Sequence, residues 1–175
     1  MTQKNLLYIK ILFILIFILS IQSTLAQKSD CDIYNIALKH IYNQRSDYFY
    51  FISNEKLEFT KNYLDAFNSM QDMNLDWKDF AEPKSDSINC SFDSLKYEIC
   101  NMKESYLFDI HHIIELEHHK YIPVGVNFLP ILYKQDQLAL LAVVTRFKPV
   151  PKAVFYFIFE YKEQWKIVNV KVEVY

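Results

Sequence analysis

The run "WKIVNVKVEVY", Trp165 to Tyr175, decides how the chain is read. Its alternation sets Val168, Val170, Val172 and Val174 on one side and Lys171, Glu173 and Tyr175 on the other, which is the period of two that a strand requires. Trp165 is expected at the start of that strand. Three apolar runs precede it, "VGVNFLPILY" from Val124, "LALLAVVTRF" from Leu138 and "AVFYFIFEY" from Ala153. Polar or proline-bearing connections separate them, so the four runs together predict an antiparallel meander. One face of such a sheet is expected to be buried and the other wet, with the four valines inward. Only a helical layer remains to cover the apolar face. The expected fold class is therefore α+β, with N-terminal helices packed on a mostly antiparallel C-terminal sheet. Pro149 and Pro151 in "FKPVPKA" cannot donate to a ladder, so that connection is expected at an edge or beyond the sheet.

The helices come from the preceding half. In "SDCDIYNIALKHIYNQ", Ser29 or Asp30 can cap, and Ile33, Ile36, Ala37, His40 and Ile41 follow helical spacing. His40 beside that stripe reads as a core or boundary imidazole rather than a ligand. The aromatic run Tyr48 to Ser53 predicts a strand. Thr60 can cap a helix over "KNYLDAFNSMQDM", whose stripe is Tyr63, Leu64, Phe67 and Met70. From Leu75 to Asn101 the pattern loosens and predicts a loop. It holds the sequon Asn89-Cys90-Ser91, which matters only in a eukaryotic secretory pathway. Asp76, Asp79, Glu82, Asp86 and Asp93 lack the regular spacing and the glycine of a calcium loop and read as solvated charge.

The opening residues predict export. "MTQKNLLYIK" holds two lysines and no acid, the apolar run Ile11 to Ile21 follows, and "QSTLA" ends in small residues suited to a signal peptidase. The competing reading is an uncleaved anchor, but the apolar run is 11 residues long against about 20 for a membrane span. No cysteine ends the run, so a lipoprotein box is absent. Residues 1–26 are read as a signal peptide cleaved after Ala26, and 27–175 as a single domain of 149 residues. The product is expected to be secreted or periplasmic. Loss of Lys4 and Lys10 leaves 17 basic residues against 21 acidic, a formal charge of −4. Neither nucleic acid nor an anionic membrane surface is an expected partner of that balance.

Three cysteines, Cys31, Cys90 and Cys100, leave one over in an oxidising compartment. Cys90 and Cys100 enclose a short loop in the least regular part of the chain, so they are the expected disulfide. The spacing fits neither a zinc finger nor a CxxC redox motif. A single glycine, Gly125, excludes phosphate-cradling loops, dinucleotide fingerprints and the nucleophile elbow, each of which needs several. Metal-dependent hydrolases and carboxylate-pair enzymes need no such signature and stay open.

"HHIIELEHH", His111 to His119, is the one candidate metal motif. On a helix, His111, His112, Glu115, His118 and His119 fall within an arc of about 120°, opposite Leu107, Ile110, Ile113 and Ile114. Glu115 lies one turn from each histidine pair, as in helical zinc motifs. The pairs themselves are separated by about 10.5 Å along the axis, which makes sharing one ion awkward. The competing reading is a solvated face that titrates near neutral pH and binds zinc adventitiously.

Over "FIFEYKEQWKIVNVKVEVY", with the "ILY…LALLAVV" pair before it, the chain resembles the C-terminal sheet of small uncharacterised secreted bacterial proteins, and more loosely cystatin- and NTF2-like folds. That resemblance implies a helix-backed curved antiparallel sheet. In NTF2-like domains the concave face often holds a pocket, and the Phe and Tyr content here suits an apolar one. It carries no catalytic residue to any position of this chain. The function expected from the sequence is a secreted or periplasmic non-catalytic module that binds a protein partner or an apolar ligand, with no cofactor. The alternatives are a divalent-metal-binding protein or metal-dependent hydrolase using the histidine segment, and an envelope-associated structural protein without a ligand.

Overall fold

The computed structural model describes residues 10, 30–43, 45–54, 56–58, 60–71, 76–80, 87–93, 95–100, 121–135, 137–146 and 152–175. Helix α1 covers residues 30–42 and buries Ile33, Tyr34, Ala37 and Leu38, a stripe one turn apart. Asn43 ends it at φ 48°, with its N–H on the Lys39 carbonyl at 2.8 Å. This left-handed cap is one of the few that a non-glycine residue makes cheaply. Strand β1 is Tyr48–Ser53, and α2 is Lys61–Gln71, with Leu64 and Phe67 inward. A short 3-10 turn spans Trp77–Asp79. The remaining strands are β2 Tyr97–Cys100, β3 Ile122–Phe128, β4 Leu132–Lys134, β5 Leu138–Arg146, β6 Ala153–Tyr161 and β7 Trp165–Val174.

The seven strands form one mixed sheet in the order β2-β1-β3-β5-β6-β7, with β4 also paired to β5. β1 runs parallel to both β2 and β3, whereas β3–β5, β5–β6 and β6–β7 are antiparallel. Pro130 has no N–H for the ladder, so the run "VGVNFLPILY" breaks into β3 and β4, and both pair with β5. Gln135 at φ 52° makes the turn back into β5.

The expected α+β arrangement is overturned in two respects. The chain is sheet-dominated, and the sheet is mixed, because β1 and β2 join its far side in parallel. The described helices also do not form one layer. α1 packs on the face of Tyr50, Val126, Phe128, Leu141 and Phe157, while Leu64 and Phe67 of α2 pack on the opposite face with Leu140, Ala142, Val144, Tyr156 and Ile158. β5 and β6 are thus covered on both sides, which explains why "LALLAVV" is continuously apolar rather than alternating.

The segment read as a loop is partly built into the core. Ile88 and Phe92 are buried against α1, and β2 forms one edge of the sheet. Asn35 fastens this segment: its Nδ2 donates to the Ser91 carbonyl and its Oδ1 accepts from the Asp93 N–H, both at 3.1 Å. Cys90 is joined to Cys31, not to Cys100. The correction has a spatial cause. Residues 87–93 lie along α1, whereas β2 carries Cys100 to the sheet edge opposite Ser53, so closeness in sequence did not become closeness in space.

The burial expected for the valines of β7 is also corrected. Val168 and Val172 are each 48% exposed and Val174 64%, and only Val170 packs against the α1-side core. Trp165, at the head of the strand, is buried. Pairing with β6 passes from Ile158↔Asn169 to Phe159↔Ile167, so Val168 is the extra residue of a bulge. Beyond it the valines extend past the cover that α1 provides. The side expected to be wet is the one α2 touches: Asn169 Nδ2 donates to the Met70 carbonyl at 3.2 Å, and Lys171 Nζ to Ser69 Oγ at 3.0 Å.

Candidate interaction surface

β7 is an edge of the sheet, and among the described residues no strand pairs on its outer side. Its hydrogen-bonding phase follows from one bond. Tyr175 donates its N–H to the Lys152 carbonyl at 2.9 Å, next to the pair Ala153↔Val174. In an antiparallel ladder the inward-facing residues alternate. Glu173 and Lys171 therefore face β6 with their backbone groups, and Val174, Val172 and Val170 turn theirs outward. The residues with exposed valine side chains are thus the ones with edge-facing backbone. Phe155, half-buried, lies opposite Val172 on β6 and widens the apolar strip.

The other face of the same strand is polar and tightly bonded. Glu173 accepts from Tyr175 at 2.6 Å and Tyr156 at 3.0 Å, and pairs with Lys171 at 2.8 Å. The bond from Lys171, then that from Tyr175, pulls the Glu173 carboxyl down to about 2, so it is ionised in neutral solution. Burial, reinforced by the Glu173 charge, pushes the Tyr156 hydroxyl far above its ordinary range. Tyr156 is therefore a fixed donor and no acid-base group. Its ring is held edge-on by Phe67 of α2 at 5.5 Å.

A second polar cluster joins α1 to the sheet. The Lys56 side chain is only 4% exposed, with Nζ 4.0 Å from Asp30 Oδ2 and 5.6 Å from the Tyr34 ring centroid. Tyr133 donates to Asp30 Oδ1 at 2.5 Å. Buried charges persist when paired and hydrogen-bonded, and this cluster reads as a tie between α1 and β4. Nearer β1, Arg45 grips Asp47 through two bonds of 3.0 and 2.9 Å and lies over the Tyr48 ring. Both partners are exposed, so that pair contributes little.

The histidine segment, with His111, His112, Glu115, His118 and His119, lies outside the described residues, as do Pro149, Pro151 and the leader apart from Lys10. Among the described residues there is no group of three or more His, Cys, Asp or Glu that could hold a metal, and no helix is long and apolar enough to cross a membrane. His40 is exposed at the end of α1 and meets Phe157 edge-on at 5.7 Å. Sequence reasoning missed the β7 edge because it assigned the valines to the core. The alternation that marks the edge was present, but nothing local shows where the helical cover stops.

No protein-family model matches the chain, no curated protein matches it, and no solved structure does. These comparisons bear in neither direction on the cystatin- or NTF2-like resemblance.

Proposed function

We propose that the chain is an exported, non-catalytic binding module that recognises an extended protein segment along the outer edge of β7. One observation carries the reading: Val172 and Val174 are exposed at the positions whose backbone groups face away from β6. An edge of this kind is a template for strand addition, in which backbone bonds supply affinity and alternate side chains supply selectivity. Natural edges are normally blunted by a charge, a proline or a bulge. Here the bulge at Val168 interrupts the edge on one side only, residues 170–174 are left regular, and the two charges on that stretch, Lys171 and Glu173, are paired with each other on the α2 face at 2.8 Å.

Export is part of the proposal and is supported by the pattern of residues 1–26. The test places a photo-crosslinking amino acid at Val172, with Lys162 in the β6–β7 turn as the control position, in the organism's own exported fraction. A covalent protein adduct is expected from position 172 and not from 162. Equal labelling at both positions, or none at 172, sinks the reading.

A further inference from the structure

We infer that the segment recognised by the β7 edge is the β7 edge of a second copy of this chain, paired antiparallel about a two-fold axis at Val172. The inference rests on the edge-recognition reading above and names its partner. A two-fold axis on Lys171 or Glu173, whose backbone groups face β6, would set like charges directly opposite each other at the closest positions, so the axis is placed on a residue whose backbone groups point outward, Val170, Val172 or Val174. With the axis at Val172, its N–H and C=O meet those of the partner's Val172. Val170 then meets the partner's Val174, and Val174 the partner's Val170. Every outward backbone group from Val170 to Val174 is bonded in that arrangement.

The side chains favour the same register. Lys171 comes opposite the partner's Glu173, and Glu173 opposite the partner's Lys171. These positions are not hydrogen-bonded across the new ladder, and it is at such positions that facing side chains lie closest. The existing 2.8 Å pair of Lys171 and Glu173 becomes half of a four-membered ring of alternating charge. On the opposite face, the three valines of each copy form one apolar ladder, continued on both sides by Phe155. Moving the axis to Val170 loses these features. That register sets the bulge residue Val168 opposite the partner's Val172, and Glu173 opposite the partner's apolar Ile167. Self-complementarity of this sort is what a closed two-fold interface demands.

The contact is short, so the expected dissociation constant is on the order of 10 μM, typical of small interfaces. Sedimentation of the purified exported chain alone, over a range of concentrations spanning that value, should show a monomer–dimer equilibrium. V172K places two ammonium groups face to face at the axis. V172P deletes an outward N–H that β6 does not use. Each should weaken association at least tenfold. Amide exchange gives the residue-level reading: Val170, Val172 and Val174 should slow as concentration rises, while Lys171 and Glu173, bonded to β6 in either state, should not change. A chain that stays monomeric throughout, or a dimer indifferent to both variants, overturns the inference. The crosslink at position 172 separates the two levels of the argument. A monomer that still gives an adduct with a different protein refutes self-pairing and leaves edge recognition standing, whereas a monomer with no adduct refutes both.

Discussion

The Tyr156 hydroxyl donates to the Glu173 carboxylate at 3.0 Å, across adjacent strands and under the cover of α2. It ties the last strand to the half of the core that contains Phe67 and Tyr63. The carboxylate also takes the Tyr175 hydroxyl and the Lys171 ammonium, so three donors converge on one anion that is held in place rather than available for chemistry.

The first prediction follows from that convergence. The Glu173 carboxyl falls from 4.5 to about 2 on folding, chiefly through Lys171 and then Tyr175. A lowered folded-state value contributes stability that is complete above the unfolded value and is lost as pH falls through the folded one. The contribution should fade between about pH 4.5 and pH 2. Screening at this partly exposed site holds it to about 1 kcal/mol. Thermal unfolding against pH should show E173Q less stable than the parent at pH 7 and level with it near pH 2. A constant gap at every pH would separate the effect from ionisation.

The two faces of β7 give opposite expectations for substitution. Phe67 is fully buried on the α2 side, so F67A should cost about 3–5 kcal/mol. Val172 is exposed on the α1 side, and V172K should stay within about 0.5 kcal/mol. Urea unfolding at a concentration where the chain is monomeric measures both. A V172K variant as damaged as F67A would mean that the valine face is inside after all.

Which parts of this were legible in the sequence has a physical pattern. Local periodicity identified β1 from its aromatics, α2 from Leu64 and Phe67, and the strand headed by Trp165, because each signal lies within one element. The sidedness of β7 was not legible. Alternation separates two faces, but which face is covered depends on where helices from elsewhere in the chain come to rest. The bulge at Val168 leaves no mark of its own in a run of alternating valines. The two-sided cover was legible in principle, since "LALLAVV" does not alternate, and a half-buried strand should. β2 was hidden because "YEIC" is short and sits in a polar stretch, and its parallel partner lies far back in sequence. The histidine segment lies outside the described residues, so the structure adds nothing to its reading.

The disulfide supplies the last prediction. Cys31 and Cys90 are 59 residues apart and tie α1 to the segment that carries Ile88 and Phe92 into the core. In the chain-entropy account, closing a loop of that length removes about 4 kcal/mol of freedom from the unfolded state. Removing both sulfurs takes that constraint away without leaving an unpaired thiol. The double variant C31S/C90S should therefore unfold in urea with a stability lower by about 4 kcal/mol, less whatever residual structure the unfolded chain retains. C100S should leave the bridge unchanged, because Cys100 is not a member of the pair. Mass analysis of a nonreduced digest checks the connectivity directly. A peptide linking Cys90 to Cys100 would refute the pairing and with it the placement of residues 87–93 against α1.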